Sequence, residues 1–238
     1  VLGVEPDCRD AGATFLLCLL DTSLPTPSFY RAFFDWLLED PRIGLILKPK
    51  NRSWEELAGP ELGTESIARA RATGRVVLLD ANVPPAVAAG ACDLAVGVCS
   101  LSAVVLAALG GSRIVYLDYG RLDRGELANH ATLHTLAPRC VAHDPADVRA
   151  MVEAFLADPA AHPDLGDASR ALPEFDRFRD GRAGERVGAH LAWYLEGLAS
   201  GLGRDEAIGA ANERYASRWG ADAVILGPDL PGGISGTP

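Results

Sequence analysis

Two lysines, Lys48 and Lys50, are the side chains with the clearest chemical potential, because they are the only lysines among 22 cationic residues. They flank Pro49 directly after the apolar segment Ile43–Leu47. A lysine ammonium is a compact charge that suits a phosphate, and proline restrains the backbone between the two side chains. One lysine can therefore face a bound phosphate while the other is solvated. An ordinary solvated basic loop is the alternative interpretation.

A second candidate site follows the apolar segment that ends near Gly97. Here Ser100 and Ser102 stand where a strand would pass into a helix. Their hydroxyls, together with the unpaired N–H groups of a helix start, can bind an anion such as a diphosphate. Ser100 acting only as a helix cap is the alternative. Because the sequence contains no G-x-G-x-x-G pattern and no Walker lysine, we do not predict dinucleotide binding or P-loop phosphate transfer.

Two further polar loops contain candidate binding residues. Thr22 and Ser23 follow the first apolar segment and can donate to phosphate or sugar oxygens, although such residues also simply form turns. His130 and His134 have i, i+4 spacing, but the H-E-x-x-H pattern and a third ligand are missing, which argues against zinc. Hydrogen bonding to a base, ribose or phosphate is the functional interpretation of this loop, and two surface histidines are the structural one.

Apolar strand-like segments alternate with segments of helical periodicity along most of the chain. The predicted strands are Ala13–Leu20, Ile43–Leu47, Val76–Leu79, Asp93–Gly97, Arg113–Leu117 and Cys140–Ala142. The predicted helices are one capped by Ser28 and ended by Asp40-Pro41, Glu65–Ala72, one opening at Pro84-Pro85, Ser100–Leu109, and Pro145–Ala157 capped by Asp144. This order predicts an α/β fold with a Rossmann-like, doubly wound parallel sheet. Ligands bind such sheets beyond the carboxyl ends of the strands, where the candidate loops converge.

The sequence predicts four regions of different character. Residues 1–12 form a linker, 13–160 the Rossmann-like domain, 161–226 a helical extension that packs on it, and 227–238 a flexible tail. The extension contains two amphipathic helices, Glu185–Leu198 and Arg204–Trp219.

Composition excludes several classes of protein. The net charge of −10 disfavours nonspecific binding of nucleic acid or anionic membranes, and 48% hydrophobic residues exclude a disordered chain. No apolar run reaches the roughly 20 residues of a transmembrane helix. The five cysteines show no C-x-x-C spacing, so we expect free, mostly buried thiols in a reducing cytoplasm.

Four motifs in this order resemble those of a known enzyme family. They are Lys48-Pro49-Lys50, the ACDLAVGVCSLS segment 91–102, the RIVYLD segment 113–118 and the DGRAGER segment 180–186. Together they resemble the C-terminal half of GT-B glycosyltransferases, and more narrowly the capsule and teichoic-acid type enzymes of bacterial surface polysaccharide synthesis. The resemblance covers Ala13 to Trp219.

The resemblance implies a domain that binds a nucleotide-activated sugar donor. Lys48 with Ser100 and Ser102 would meet the diphosphate, whereas Asp180, Arg182 and Arg186 would start a helix near an interdomain cleft. The resemblance implies no metal cofactor, and the sequence lacks the D-x-D triplet of metal-dependent glycosyltransferases. The acceptor would be a glycan or a lipid-linked molecule. In place of the family's frequent sugar-binding carboxylate on the helix after the serines, this chain has Leu106 and Ala107.

The chain opens at Val1 and its one methionine is Met151, so we expect an N-terminal, acceptor-binding domain of the same enzyme ahead of it. Such an enzyme would lie in the cytoplasm, either free or at the inner face of the cell membrane. A nucleotide-sugar 2-epimerase is one alternative, although these enzymes usually carry acidic residues where this chain has Ala103-Val104-Val105. A noncatalytic nucleotide-binding or assembly domain is the other.

Overall fold

The computed structural model describes residues 8–20, 27–49, 64–98, 101–118 and 139–224. The chain divides into two compact units, Val1–Arg177 and Phe178–Pro238. The first unit is built on a sheet, and the described part of the second is helical.

Six strands form one sheet in the first unit, and every neighbouring pair is parallel. The strands are β1 (Phe15–Leu20), β2 (Ile43–Lys48), β3 (Val76–Leu78), β4 (Leu94–Val98), β5 (Ile114–Leu117) and β6 (Val141–Ala142). Their order across the sheet is β3-β2-β1-β4-β5-β6, so the chain changes direction of winding between β1 and β4. The predicted Rossmann-like, doubly wound α/β fold is confirmed. Its topological switch point lies between β1 and β4.

The described helices of the first unit lie between these strands or follow β6. They are α1 (Pro27–Glu39), α2 (Thr64–Ala72), α3 (Pro85–Gly90), α4 (Leu101–Leu109), α5 (Pro145–Ala157) and α6 (Leu172–Phe175). All but α6 were predicted. Asp144 is the N-cap of α5, as predicted, and its carboxylate accepts from Asp147 N at 2.8 Å.

The central strand β1 is buried on both faces, which explains its uninterrupted apolar sequence. Phe15, Leu17 and Leu19 belong to the core shared with the aromatic face of α1. Leu16, Cys18 and Leu20 belong to the core on the opposite face of the sheet. The two-residue period of a strand thus divides one apolar run between two hydrophobic cores.

Several element boundaries differ from the prediction by one or two residues. Helix α1 begins at Pro27, so Ser28 lies within its first turn instead of capping it, because proline is well suited to the first turn. Lys48 is the last residue of β2, where it pairs with Leu20, and so belongs to the strand it was expected to follow.

The segment 161–177 belongs to the sheet unit. Gly166 N donates to Arg139 O at 2.9 Å, and Ile114 N donates to Gly166 O at 2.9 Å. Ala168 and Leu172 are buried in the second core, and Leu172 begins the short helix α6.

The described part of the second unit contains two packed helices, α7 (Ala183–Ala199) and α8 (Arg204–Trp219), followed by a 3-10 turn at Ala221–Ala223. A Cβ atom on Gly197 would lie 3.0 Å from the Cβ of Ala207, so the two backbones approach closely there. Trp219 packs against Tyr215 with ring centroids 4.7 Å apart. Both helices were predicted; the predicted tail at 227–238 lies outside the described residues.

Candidate functional site

Chemically active side chains collect at the carboxyl edge of the sheet. Because the strands are parallel, Lys48 at the end of β2, Asp118 after β5 and His143 after β6 all lie along this edge. Ser102 lies in the first turn of α4, the helix that follows β4. Doubly wound sheets bind their ligands at this edge, in the crevice at the switch point.

Lys48 is buried, with 6% of its surface exposed. Its ammonium donates to Pro49 O at 2.5 Å and to Ala81 O at 2.9 Å. Both of these acceptors are main-chain carbonyl oxygens, which carry no formal charge. Lys48 therefore places a positive charge at the carboxyl edge and also joins the end of β2 to the segment that follows β3.

Ser102 is exposed in the first turn of α4. Because β1 separates β2 from β4, the ends of these two strands stand about 10 Å apart along the edge, which is two strand spacings. The structure thus brings Lys48 and Ser102 to the same edge, as expected. The other predicted ligand-binding residues of this unit, Lys50, Ser100, Thr22, Ser23 and His130, lie outside the described residues.

Asp118 and His143 form a pair that sequence analysis missed. Asp118 is 2% exposed, and its Oδ2 lies 3.7 Å from Nδ1 of His143. Strands β5 and β6 bring the two together, since Asp118 N donates to Ala142 O at 2.9 Å. The sequence contains a signal for this pair, because each residue directly follows a short apolar strand. Sequence analysis included Asp118 only as part of a motif and did not single out His143.

Asp180, Arg182 and Arg186 cluster around the start of α7 in the second unit. Arg186 is 5% exposed, its guanidinium carbon lies 3.7 Å from the centroid of the Phe178 ring, and it forms an ion pair with Asp180. The hydrogen bond from Arg186 holds the pKa of Asp180 below its usual value. Asp180 also accepts from Arg182 N at 3.0 Å, while the exposed Arg182 side chain pairs with Glu185.

The described cysteines are free thiols, as predicted. Cys8, Cys18 and Cys140 are buried, and Cys92 is half-buried. Burial raises the pKa of Cys140 to about 12. A hydrogen bond with Cys18, followed by burial, raises the pKa of Cys92 still further. Thiolates of Cys92 and Cys140 are therefore scarce at neutral pH.

A cavity of about 440 Å³ lies at the other edge of the sheet, beside the amino end of β6. Arg139, Asp164 and His162 line it together with apolar side chains of α5 and Leu165. Of the predicted ligand-binding residues that the structure describes, none borders this cavity.

Within the described ranges, no three His, Cys, Asp or Glu side chains are grouped closely enough to hold a metal ion. Among the described helices, none is long and apolar enough to cross a membrane.

Comparisons of the chain with protein-family models, curated proteins and solved structures give no match. Function must therefore be argued from the fold and from the geometry of the carboxyl edge.

Proposed function

We propose that this chain is the donor-binding domain of a GT-B type glycosyltransferase. It would transfer a sugar or polyol-phosphate unit from a nucleotide-activated donor during bacterial surface polysaccharide synthesis. The observation that carries the proposal is the buried ammonium of Lys48 at the carboxyl edge of a doubly wound sheet. This ammonium lies one strand away from the switch point.

Two sources of positive charge at the edge suit a diphosphate. The Lys48 ammonium is held by two carbonyl oxygens, which keeps it in place without ligand. The N-terminus of α4, a helix of nine residues, adds unpaired N–H groups and the positive end of the helix dipole. A diphosphate seated between β1 and β4 would lie within reach of both, and Ser102 would add a hydroxyl donor.

The same groups would assist the chemistry. Transfer from a nucleotide-activated donor develops negative charge on the departing nucleotide, and fixed positive groups stabilise that charge in the transition state. In this proposal Lys48 and the α4 N-terminus bind the leaving group. An acceptor-binding domain of the same enzyme would supply the glycan or lipid-linked acceptor on the cytoplasmic side. The Asp180–Arg186 cluster would order the start of α7.

Calorimetric titration with UDP, CDP and GDP tests the proposal. At least one nucleotide should bind, and Lys48→Met should weaken that binding at least about 10-fold, which corresponds to 1.4 kcal/mol. Arg75→Met is the matched control, because Arg75 is a buried cation, 8% exposed, that also donates to main-chain carbonyls but lies at the amino edge. Absence of heat with all three nucleotides would contradict the proposal, as would equal losses of affinity in the two variants.

A noncatalytic assembly domain is a second candidate, which the surface of α7 favours. Val187, Leu191 and Leu195 are 60%, 53% and 60% exposed and lie on one face of that helix. If assembly is the main role, the chain should associate in sedimentation experiments without binding nucleotides. Leu191→Glu should then abolish the association.

A further inference from the structure

The Asp118–His143 pair presents one side of an imidazole ring to solvent and the other to a buried carboxylate. Nδ1 of His143 is fully buried, and it has no hydrogen bond among the described residues. Among the described carboxylates, Oδ2 of Asp118 is the nearest to Nδ1, at 3.7 Å. Because the His143 side chain as a whole is 36% exposed while Nδ1 is buried, its accessible surface lies on atoms other than Nδ1.

This arrangement determines the hydrogen-bonding capacity of the ring. A carboxylate beside Nδ1 favours a proton on that nitrogen. In the neutral form of such a ring, Nε2 carries the lone pair and accepts hydrogen bonds. The distance of 3.7 Å is longer than a hydrogen bond, and such contacts in ligand-free sites often tighten when a ligand binds.

The surrounding charges indicate which part of a ligand would meet Nε2. The Asp147 carboxylate accepts a hydrogen bond from the His143 main-chain N–H at 2.9 Å. Asp144 is the N-cap of α5, the helix that contains Asp147. Asp118, Asp144 and Asp147 therefore make the surroundings of His143 acidic. A negatively charged phosphate is disfavoured there, whereas an uncharged hydroxyl is a suitable donor.

A ligand bound at the switch point would have to extend along the sheet edge to reach the Asp118–His143 pair. Strand β6 lies two strands from β4, so His143 stands about 10 Å along the edge from the end of β4. A nucleotide-activated donor whose diphosphate sits at the switch point is long enough to extend a ribose or a sugar to this point. The ribose and the sugar both carry hydroxyl groups.

We propose that His143, oriented by Asp118, accepts a hydrogen bond from a hydroxyl of the donor bound at the carboxyl edge, on its ribose or its sugar. This inference rests on the proposed function and adds a hydroxyl-binding site to it. His143 is the ligand-contacting group. Asp118 is a positioning residue that keeps the proton on Nδ1.

Long-range proton–nitrogen NMR of the full chain tests the first step. The signals of His143, one of 5 histidines, are assigned by their loss in His143→Asn. We expect the Nδ1–H tautomer in the ligand-free protein and a change in the Nε2 shift when ligand binds. In Asp118→Asn the tautomer preference should be lost. A ligand-free protein with its proton on Nε2 would overturn the inference, and this measurement needs no variant of Asp118 to fold.

Calorimetry then tests the contact and identifies its source. The probes are whichever of UDP, CDP and GDP binds best, the 2′-deoxy form of that nucleotide and its glucose conjugate. His143→Asn should weaken binding about 3- to 10-fold, as expected for one hydrogen bond between neutral groups. The control His162→Asn, an exposed histidine at the amino edge, should not.

Each outcome decides a specific point. A loss with the nucleotide that disappears with its 2′-deoxy form identifies ribose, and a loss restricted to the glucose conjugate identifies the sugar; both support the inference. Wild-type binding with unchanged Nε2 and unchanged affinity in His143→Asn overturns this inference alone. No binding of any probe overturns it together with the proposed function.

Discussion

Lys48 and Arg75 are buried cations at opposite ends of the β2–β3 pair, and each donates to two main-chain carbonyls. Lys48 donates to Pro49 O and Ala81 O at the carboxyl edge, and Arg75 donates to Asp40 O and Ile43 O at the amino edge. The two side chains thus stabilise the segments at the two ends of β2 and β3 by hydrogen bonds to main-chain carbonyls. Only one of them lies where a doubly wound sheet binds ligands.

The first prediction concerns the structural role shared by these two cations. Lys48→Met and Arg75→Met should each lower the free energy of unfolding by about 1–3 kcal/mol, because buried carbonyl groups lose their hydrogen-bond donors. Urea denaturation at neutral pH measures this. A Lys48→Met protein as stable as wild type would show that the two hydrogen bonds contribute nothing to stability.

The second prediction concerns Gly166, which has φ of +68° and connects β5 to the segment before β6. A Cβ atom there would lie 2.8 Å from Leu94 Cδ1 and 2.9 Å from Ile114 N. Gly166→Ala should therefore cost about 3 kcal/mol, from backbone strain plus overpacking. Gly111 also has a positive φ, but its Cβ would meet nothing within 4 Å, so Gly111→Ala should cost only about 1 kcal/mol. Equal losses in denaturation experiments would contradict this packing argument.

The third prediction concerns pH and the Asp180–Arg186 pair. The pKa of Asp180 is lowered in the folded chain, chiefly by its hydrogen bond with Arg186. The carboxylate therefore contributes stability that is fully present above its unfolded pKa of about 3.9 and is lost as pH falls through the lower folded value. The difference in unfolding free energy between wild type and Asp180→Asn should shrink below pH of about 4. Acid titrations followed by circular dichroism measure it, and a constant difference would contradict the assignment.

A fourth prediction compares the two arginines at the start of α7. Arg186 is buried and stacked on Phe178, whereas the side chain of Arg182 is 61% exposed. Arg186→Gln should destabilise α7 clearly, because it removes the stacking and leaves Asp180 without this partner. Arg182→Gln should change stability by less than about 0.5 kcal/mol, as is usual for an exposed ion pair. Hydrogen exchange of α7 amides distinguishes the two variants, and equal protection in both would contradict the prediction.

The fifth prediction concerns thiol reactivity. Since Cys140 is buried and burial raises its pKa to about 12, iodoacetamide at pH of about 8 should leave it unmodified in the native chain. Modification should become rapid after unfolding in urea. Mass spectrometry of the digested protein measures the modified fraction, and rapid native modification of Cys140 would show that the strand it precedes opens readily.

The amino-acid sequence by itself determined the fold class, because its decisive signals are local. The apolar run of β1, the helical spacing of α1 and the Asp144-Pro145 start of α5 each lie within a few consecutive residues. Such signals depend on the two- and 3.6-residue periods of strands and helices and on capping chemistry. Alternating strands and helices then predict a parallel sheet, whose carboxyl edge includes Lys48 and Ser102.

Only the tertiary structure decided which groups meet at that edge. Lys48 finds its acceptor on Ala81, 33 residues away, and Asp118 faces His143 across neighbouring strands. Gly166 joins the sheet unit through hydrogen bonds to Arg139 and Ile114, although its local sequence resembles a loop. No periodicity encodes these contacts, because they depend on strand order and register, which are set by packing across the whole sheet.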